Sequence, residues 1–486
     1  MPMLSLLTDP SKSFAPCILP TTIAVVFMMF FLQPGSALAD STAVSGDDVT
    51  TVLQGQLFDS KNAELIEDGV VVLAGDTVTC AGPREACEWP NDATVETYEN
   101  ATILPGLIDL HVHARSHFAG AFLPSGVTTI RDANNTVSVV DALRTADAAP
   151  RVFASGPLLD APGSIISQMS DTAGALDDHP IDEIMPIEVD SPAEASEAVT
   201  ALSDAGVNLI KLYATLDQET FQTAVQEAQE HNLKTAADLG TLATHRLDGP
   251  EVDIVEAARV GTTTIEHMSG LSLAYYRRGG DPLAEDLDES ILDEIADELL
   301  ETDVIMVPTL ANLRLFADPE ALPMDDLPGA ETMAPHFEEH WAQRVFWSEQ
   351  ANEPMSASYR LKKALLQRLY ERDMMIGAGS DTPAAPYMPP GGALHQELEA
   401  LVKVGVTPKD ALQAATWNAR LILGQDDIGY LGEDMAADVL IVEGNPTADI
   451  TNTRRIKAVW KAGELVDTEA AWSQVKVQLE EIDQPE

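Results

Sequence analysis

Residues Ile103–His113 read ILPGLIDLHVH. Leu107–Leu110 is a short, largely apolar run that ends in two histidines one residue apart, His111 and His113. Pro105-Gly106 marks a turn entering the run. On a β-strand residues i and i+2 share a face, so both imidazoles can reach one point at the strand's C-terminal end. Two converging neutral imidazoles suit zinc or another first-row metal of similar taste. Taken alone, HxH is read more simply as a surface pair in a loop. The rest of the chain decides between the two.

Downstream, apolar strands alternate with amphipathic helices. Strands are expected at Val127–Ile130, Arg151–Ala154, Leu209–Leu212, Lys234–Ala237, Thr263–Ile265, Ile305–Val307 and Met375–Ala378. Helices are expected at Pro192–Ala205, Glu219–Glu230, Glu251–Arg259 and Tyr359–Arg372. Such repetition favours an α/β fold, a (β/α)₈ TIM barrel, over residues 105–423. In that fold chemistry sits where strands end. Lys211 ends its strand, Asp238 follows Ala236-Ala237, His267 ends Ile265-Glu266-His267, and Asp381 follows Gly379-Ser380. Singly, each has an ordinary explanation: a solvated lysine, a hydrogen-bonded structural histidine, a helix-capping aspartate. Together with His111 and His113 they form a set of nitrogen and oxygen donors at one barrel mouth.

The two chain ends share a different character. Val52–Phe58, Gly69–Leu73 and Thr77–Ala81 near the start match Asp438–Val442, Ile456–Lys461 and Glu464–Val466 near the end. All are short strands between turn residues. A composite β-sandwich from residues 40–104 and 424–486 is therefore expected. Cys80 and Cys87 flank a small loop with no histidine nearby, which favours a disulfide over a metal site.

The 486 residues include 28 basic and 79 acidic side chains, a formal charge of −51. That argues against nucleic acid or an anionic membrane as partner. The acidic residues are spread along the chain, as on a strongly solvated surface. Residues 1–39 resemble a secretory signal peptide. The apolar run Ile18–Leu32 precedes Ser36-Ala37-Leu38-Ala39, which carries small residues where a signal peptidase reads. The run falls short of a membrane span. Cleavage after Ala39 and export, to the periplasm or beyond, are expected, with no membrane contact past the leader; a leader retained as an N-terminal anchor is the alternative.

The longer motifs carry a family resemblance. SGVTTIRD (Ser125–Asp132), VNLIKLYA (Val207–Ala214), TTIEHMSG (Thr263–Gly270), GSDTP (Gly379–Pro383), ALHQELEALVKVGVTPKDALQAATWNAR (Ala393–Arg420) and IGYLGEDMAADVLIVEGNP (Ile428–Pro446) join the HxH strand. The chain resembles the amidohydrolase superfamily, in its imidazolonepropionase-like and prolidase-like branch. The resemblance implies two divalent metals, zinc or manganese, with His111, His113 and Asp381 near one. It assigns Lys211, carbamylated by CO₂, as a bridge between the metals, because an ammonium has no lone pair whereas a carbamate is an anion. It assigns His267 to the second metal. Asp381 would pass a proton from the metal-bound hydroxide to the leaving nitrogen.

One position departs from the branch. Where histidine usually follows the fifth strand, this chain has Ala237-Asp238-Leu239-Gly240. Asp238 can itself be a ligand. His245 can swing in instead, or the second site is weakened or lost. Tyr213, Arg131, Arg277, Arg278 and His395 are further candidates to meet substrate, the arginines through a carboxylate. Bracing the barrel is an equal reading for Arg131, and support of the metal ligands another for His395. The expected activity is cleavage of an amide-type C–N bond in a dipeptide, an N-acyl amino acid or a related amide. An esterase or lactonase on the same site, or a non-catalytic metal-binding relative, are the alternatives. Relatives often assemble, which leaves a homo-oligomer open, but the residues themselves do not give an oligomeric state.

Overall fold

The computed structural model of the protein describes residues 50–482 apart from 147, 167–185, 243, 248, 318–323, 325, 338–340 and 342–351. The expected leader, residues 1–39, lies outside the described residues. The strands are β1 (Thr50–Asp59), β2 (Glu64–Ala74), β3 (Thr77–Pro83), β4 (Thr94–Pro105), β5 (Leu107–Val112), β6 (Val127–Asp132), β7 (Arg151–Ala154), β8 (Leu159–Asp160) and β9 (Ile187–Glu188). They continue with β10 (Leu209–Leu212), β11 (Lys234–Ala237), β12 (Thr264–Glu266), β13 (Ile305–Val307), β14 (Val439–Glu443), β15 (Ile456–Lys461) and β16 (Glu464–Leu465).

The chain ends do fold together, as one mixed sheet in the order β16-β15-β14-β4-β1-β2-β3. β1 and β4 run parallel, and β4 pairs antiparallel with β14, Ile103 opposite Ile441. Alternation along the strands explains the packing. Ile103, Val439 and Ile441 join Leu53, Leu73 and Trp460 on one face, whereas Leu104, Leu440 and Val442 belong to the main core. A single seven-stranded sheet thus stands where a sandwich was expected. Alternating burial reports two covered faces but not how the ladder is divided. β4 escaped the sequence reading because its first half, Thr94–Asn100, is polar and largely exposed. Cys80 and Cys87 are joined by a disulfide.

The middle of the chain forms two parallel sheets, β5-β6-β7 and β13-β12-β11-β10-β8-β9. Parallel neighbours require crossovers, and these are helices with clear starts. Ser191 caps Pro192–Asp204, Asp217 caps Gln218–Glu230, and Asp253 forms a reciprocal capping box with Glu256 at Ile254–Arg259. Single backbone hydrogen bonds link the sheet edges: Asn208 N donates to Ala154 O, Gly377 N to Met306 O, and Leu110 N to Ala378 O. Among the described residues no continuous ladder joins the two sheets. The strand expected at Met375–Ala378 is reduced to one bridge, Ile376 to Met306. Gly377 within it and Gly379 just after it explain how the segment still threads between β13 and β5. A Cβ on Gly377 would meet Leu110 at 2.5 Å, and one on Gly379 would meet His111 at 2.7 Å. Parallel pairing throughout sets the C-terminal ends of these strands, with their polar residues, at a common edge.

Candidate metal centre

β5 delivers two imidazoles. His111 is fully buried near the strand's end, and His113, just beyond it, is partly exposed, with ring centroids 5.3 Å apart. His111 Nδ1 lies 2.5 Å from Glu266 Oε2. Glu266 also accepts from Arg131 Nη2, at 2.7 and 2.8 Å, and from Thr264 Oγ1 at 2.6 Å. A carboxylate acceptor at Nδ1 places the proton there and leaves the lone pair on Nε2. That Nε2 is buried without a hydrogen-bond partner. It lies 3.5 Å from Asp381 Oδ1, and His113 Nε2 lies 3.1 Å from the same oxygen.

Asp381 is held by the strand beside it. Asp109, buried within β5, accepts from Ser380 N at 2.9 Å, Ser380 Oγ at 2.6 Å and His111 N at 3.2 Å. Asp381 N donates to His111 O at 2.7 Å, and Asn312 Nδ2 donates to Asp381 Oδ2. His267 stands opposite, with Nδ1 2.6 Å from Thr309 Oγ1 and Nε2 3.6 Å from Asp238 Oδ2. Four non-glycine residues here adopt left-handed backbone: Asp381 (φ 62°), His267 (58°), Met268 (46°) and Thr309 (43°). Each costs on the order of 1 kcal/mol, and such residues gather where geometry serves a site.

Burial opposes charge on the buried groups of this centre; neighbours outweigh it at the carboxylates Asp381, Asp238 and Glu266, and burial prevails at His111 and Lys211. Burial works against the Asp381 carboxylate, but His267, His113 and His111 outweigh it and hold the group well below the usual range. Burial is likewise outweighed at Asp238 by His267, Lys211 and His245, and at Glu266 by Arg131 and His111. Burial, aided by Lys211, pushes His111 down to about 3, so its imidazole is neutral. Burial also lowers Lys211 despite nearby Glu266 and Asp238.

His111, His267 and Asp381 each bring one donor atom within 4.8 Å of the others. This nitrogen, nitrogen and oxygen set suits a divalent first-row metal. The grouping crosses the expected one, in which His267 served a metal apart from His111. His113 and Asp238 flank the cluster. Lys211, next to last in β10, is 2% exposed, and its Nζ has no partner. Tyr213 and His245 stack edge to face at 5.6 Å, both within electrostatic reach of Asp238 and Asp160. His245 Nε2 is buried and unpartnered, but outside the three-residue cluster.

The contacts decide between the roles left open for Arg131 and His395. Arg131 takes the bracing role: it is buried, and it spends its donors on Glu266, Thr264 Oγ1 and Leu110 O. Its alternation on β6 points it inward beneath His111. His395 is fully buried and its Nε2 lies 3.0 Å from Ser125 O. Ser125 precedes β6, at the end opposite Asp132, so His395 packs at the far edge of the sheet. Arg277 and Arg278 are likewise taken, by Asp253 and Glu256 and by Glu298. Burial lowers His395 to about 4. A depressed histidine contributes stability above its ordinary pKa of about 6.5 and loses it as pH falls toward the folded value. Between pH 7.5 and 5 that loss is about 2 kcal/mol. Urea unfolding of wild type and His395→Gln at both pH values is expected to show it in wild type alone.

The residues that sequence reasoning missed are Asp109, Glu266 and Asn312. Asp109 and Glu266 carried a signal, each being the single carboxylate of a fully buried strand. Asn312 sits on a helix and carried none.

Residues 102–466 match the family described as the amidohydrolase family. Solved structures share the fold. One is a Xaa-Pro dipeptidase with methionine bound in its active site, 21% identical, covering 86% of this chain and 99% of its own, TM-score 0.61. Another is a prolidase complexed with N-methylphosphonate-L-proline, 21% identical over 86% of this chain and 99% of its own, TM-score 0.60. A third is A. niger ochratoxinase, 20% identical over 86% and 95%, TM-score 0.62. At these identities the likeness establishes fold alone. A comparison with curated proteins finds no match.

Proposed function

Because this chain belongs to the amidohydrolase family, we propose that it is an exported metal-dependent hydrolase of an amide-type C–N bond. The observation that carries this reading is His111 Nε2, a buried lone pair without a partner, inside the His111, His267 and Asp381 cluster. The two parallel sheets are read as parts of one (β/α)₈ barrel, supported by the hydrogen bonds that Gly377 N donates to Met306 O of β13 and Leu110 N of β5 donates to Ala378 O. The barrel spans 105–423, and the composite end domain spans 40–104 and 424–486.

Two divalent metals, zinc or manganese, fit the donors. His111, His113 and Asp381 would hold one, and His267, Asp238 and a carbamylated Lys211 the second. A bound metal supplies water of lowered pKa and polarises the scissile carbonyl. Asp381 takes the proton of the attacking water and returns it to the nitrogen as the C–N bond breaks. Burial of Lys211 eases loss of its ammonium proton. The neutral amine would then form the N–C bond to CO₂, and the nitrogen would give up a second proton to leave the carbamate anion. Tyr213, close to Asp238 and Asp381, is placed to touch substrate. Export rests on the residue pattern of 1–39 and on the Cys80–Cys87 disulfide, which suits an oxidising compartment. The partner is a small amide or short peptide, without nucleic acid.

The test is metal per chain together with turnover. Residues 40–486, incubated with zinc or manganese and bicarbonate, are expected to retain about two metals, the binuclear count for such sites. Chelation should abolish hydrolysis of a dipeptide and N-acyl amino acid panel, and metal should restore it. One metal would remove the second site at Asp238. Bound metal without turnover of amides or esters would favour a non-catalytic relative.

A further inference from the structure

One helix outside the strand ends also reaches this centre. Asn352–Glu371 packs on Leu310–Ala317 and on Leu271–Arg277. The first of these begins beside Thr309 and carries Asn312, and the second begins four residues after His267. Lys362 on this helix is 3% exposed, yet its Nζ has no hydrogen-bond partner. Its electrostatic neighbours are Asp238, Asp381 and His267. Among the described residues no carboxylate lies within ion-pair distance of it. One turn earlier, Ser358 is 1% exposed and its Oγ is also unpartnered. Residues four apart share a helix face, so a hydroxyl and an ammonium, both buried and unsatisfied, stand side by side.

A buried cation without a partner is costly, and a buried hydroxyl without one costs as well. Both costs are relieved by a single ligand group that accepts hydrogen bonds and carries negative charge. A carboxylate does so, with two oxygens for the ammonium and the hydroxyl. The arginines that might have served, Arg131, Arg277 and Arg278, are already committed to protein carboxylates. Lys362 lies within reach of Asp381, the residue proposed to protonate the leaving nitrogen. The recognised carboxylate therefore belongs to the amine half of the substrate, close to that nitrogen.

We propose that Lys362 and Ser358 form the substrate-carboxylate subsite, so that the enzyme selects amides whose amine half bears a free carboxylate. This rests on the hydrolase reading above and narrows it from amides at large to dipeptides and N-acyl amino acids.

The test compares a panel of Ala-Xaa dipeptides with the same compounds amidated at the C-terminus, on the metal-loaded chain. Wild type is expected to favour the free acids in kcat/KM by tenfold or more. Lys362→Met should bring that ratio near one, mainly through KM, Ser358→Ala should lower it in part, and Lys362→Arg should preserve much of it. Metal content should stay at the wild-type value in all three. Calorimetric binding of the same panel to metal-free protein gives a second readout that needs no turnover, with the same order expected. Equal treatment of acid and amide by wild type would overturn the proposal. So would a preference that survives in Lys362→Met, which would leave Lys362 only balancing the charge of Asp238. If no panel member is hydrolysed, the hydrolase reading falls, and the binding preference still decides the role of Lys362.

Discussion

Asp381→Asn is expected to lower kcat by roughly 10²–10⁴-fold, the usual scale for losing a positioned proton carrier. The carboxylate faces His111 at 3.5 Å, His113 at 3.1 Å and His267 at 3.9 Å, and those imidazoles keep it ionised despite burial. An amide keeps the shape but cannot take a proton. Asparagine can still present its oxygen to Asn312 and its nitrogen to a neighbouring imidazole. The variant should therefore fold, and circular dichroism should be unchanged. Steady-state kinetics with metal counted in the same sample separate the two losses that the change makes, proton transfer and one oxygen donor. Activity within tenfold of wild type at full metal content would remove Asp381 from proton transfer.

Arg131→Met is expected to cost about 3–5 kcal/mol of stability, as when one member of a buried ion pair is deleted. Methionine fills much of the space, but the fully buried Glu266 loses the cation that does most to keep it ionised. Leu110 O and Thr264 Oγ1 lose their donor too. The effect should reach the metal centre. Glu266 fixes the Nδ1 proton of His111, and loss of such a support typically weakens metal affinity about 10–100-fold. The pH dependence provides a further check. The folded pKa of Glu266 is depressed, so its stabilisation is present above the ordinary carboxylate range and lost as pH falls below it. That acid-side loss should shrink in Arg131→Met. Urea midpoints across pH measure both effects. Arg131→Met combined with Glu266→Gln should recover part of the stability, because the stranded charge is gone.

Much of this was legible in the chain, for reasons that can be named. β7, β10, β11 and β13 fall at the limits read from the sequence, because buried parallel strands are short apolar runs bounded by turns. His111, Lys211, Asp238, His267 and Asp381 were found because each ends or follows such a run, and parallel strands present their ends at one edge. β4 was missed because its first half is polar, and the strand at Met375–Ala378 was overcalled because its glycines serve close approach rather than pairing.

The sequence by itself determined the fold class, the union of the two chain ends, the Cys80–Cys87 pair and the strand-end donors. These depend on local period and spacing, which any window of the chain displays. Only the tertiary structure decided what each side chain faces. It chose bracing of Glu266 over substrate contact for Arg131, and sent His395 to the far edge of the sheet. It also grouped His267 with His111, and brought Lys362 within electrostatic reach of Asp238 and Asp381 from a helix. Electrostatic partners act through space across more than a hundred residues of chain, as Glu266 does with His111 and Arg131. No periodicity in the sequence records that distance.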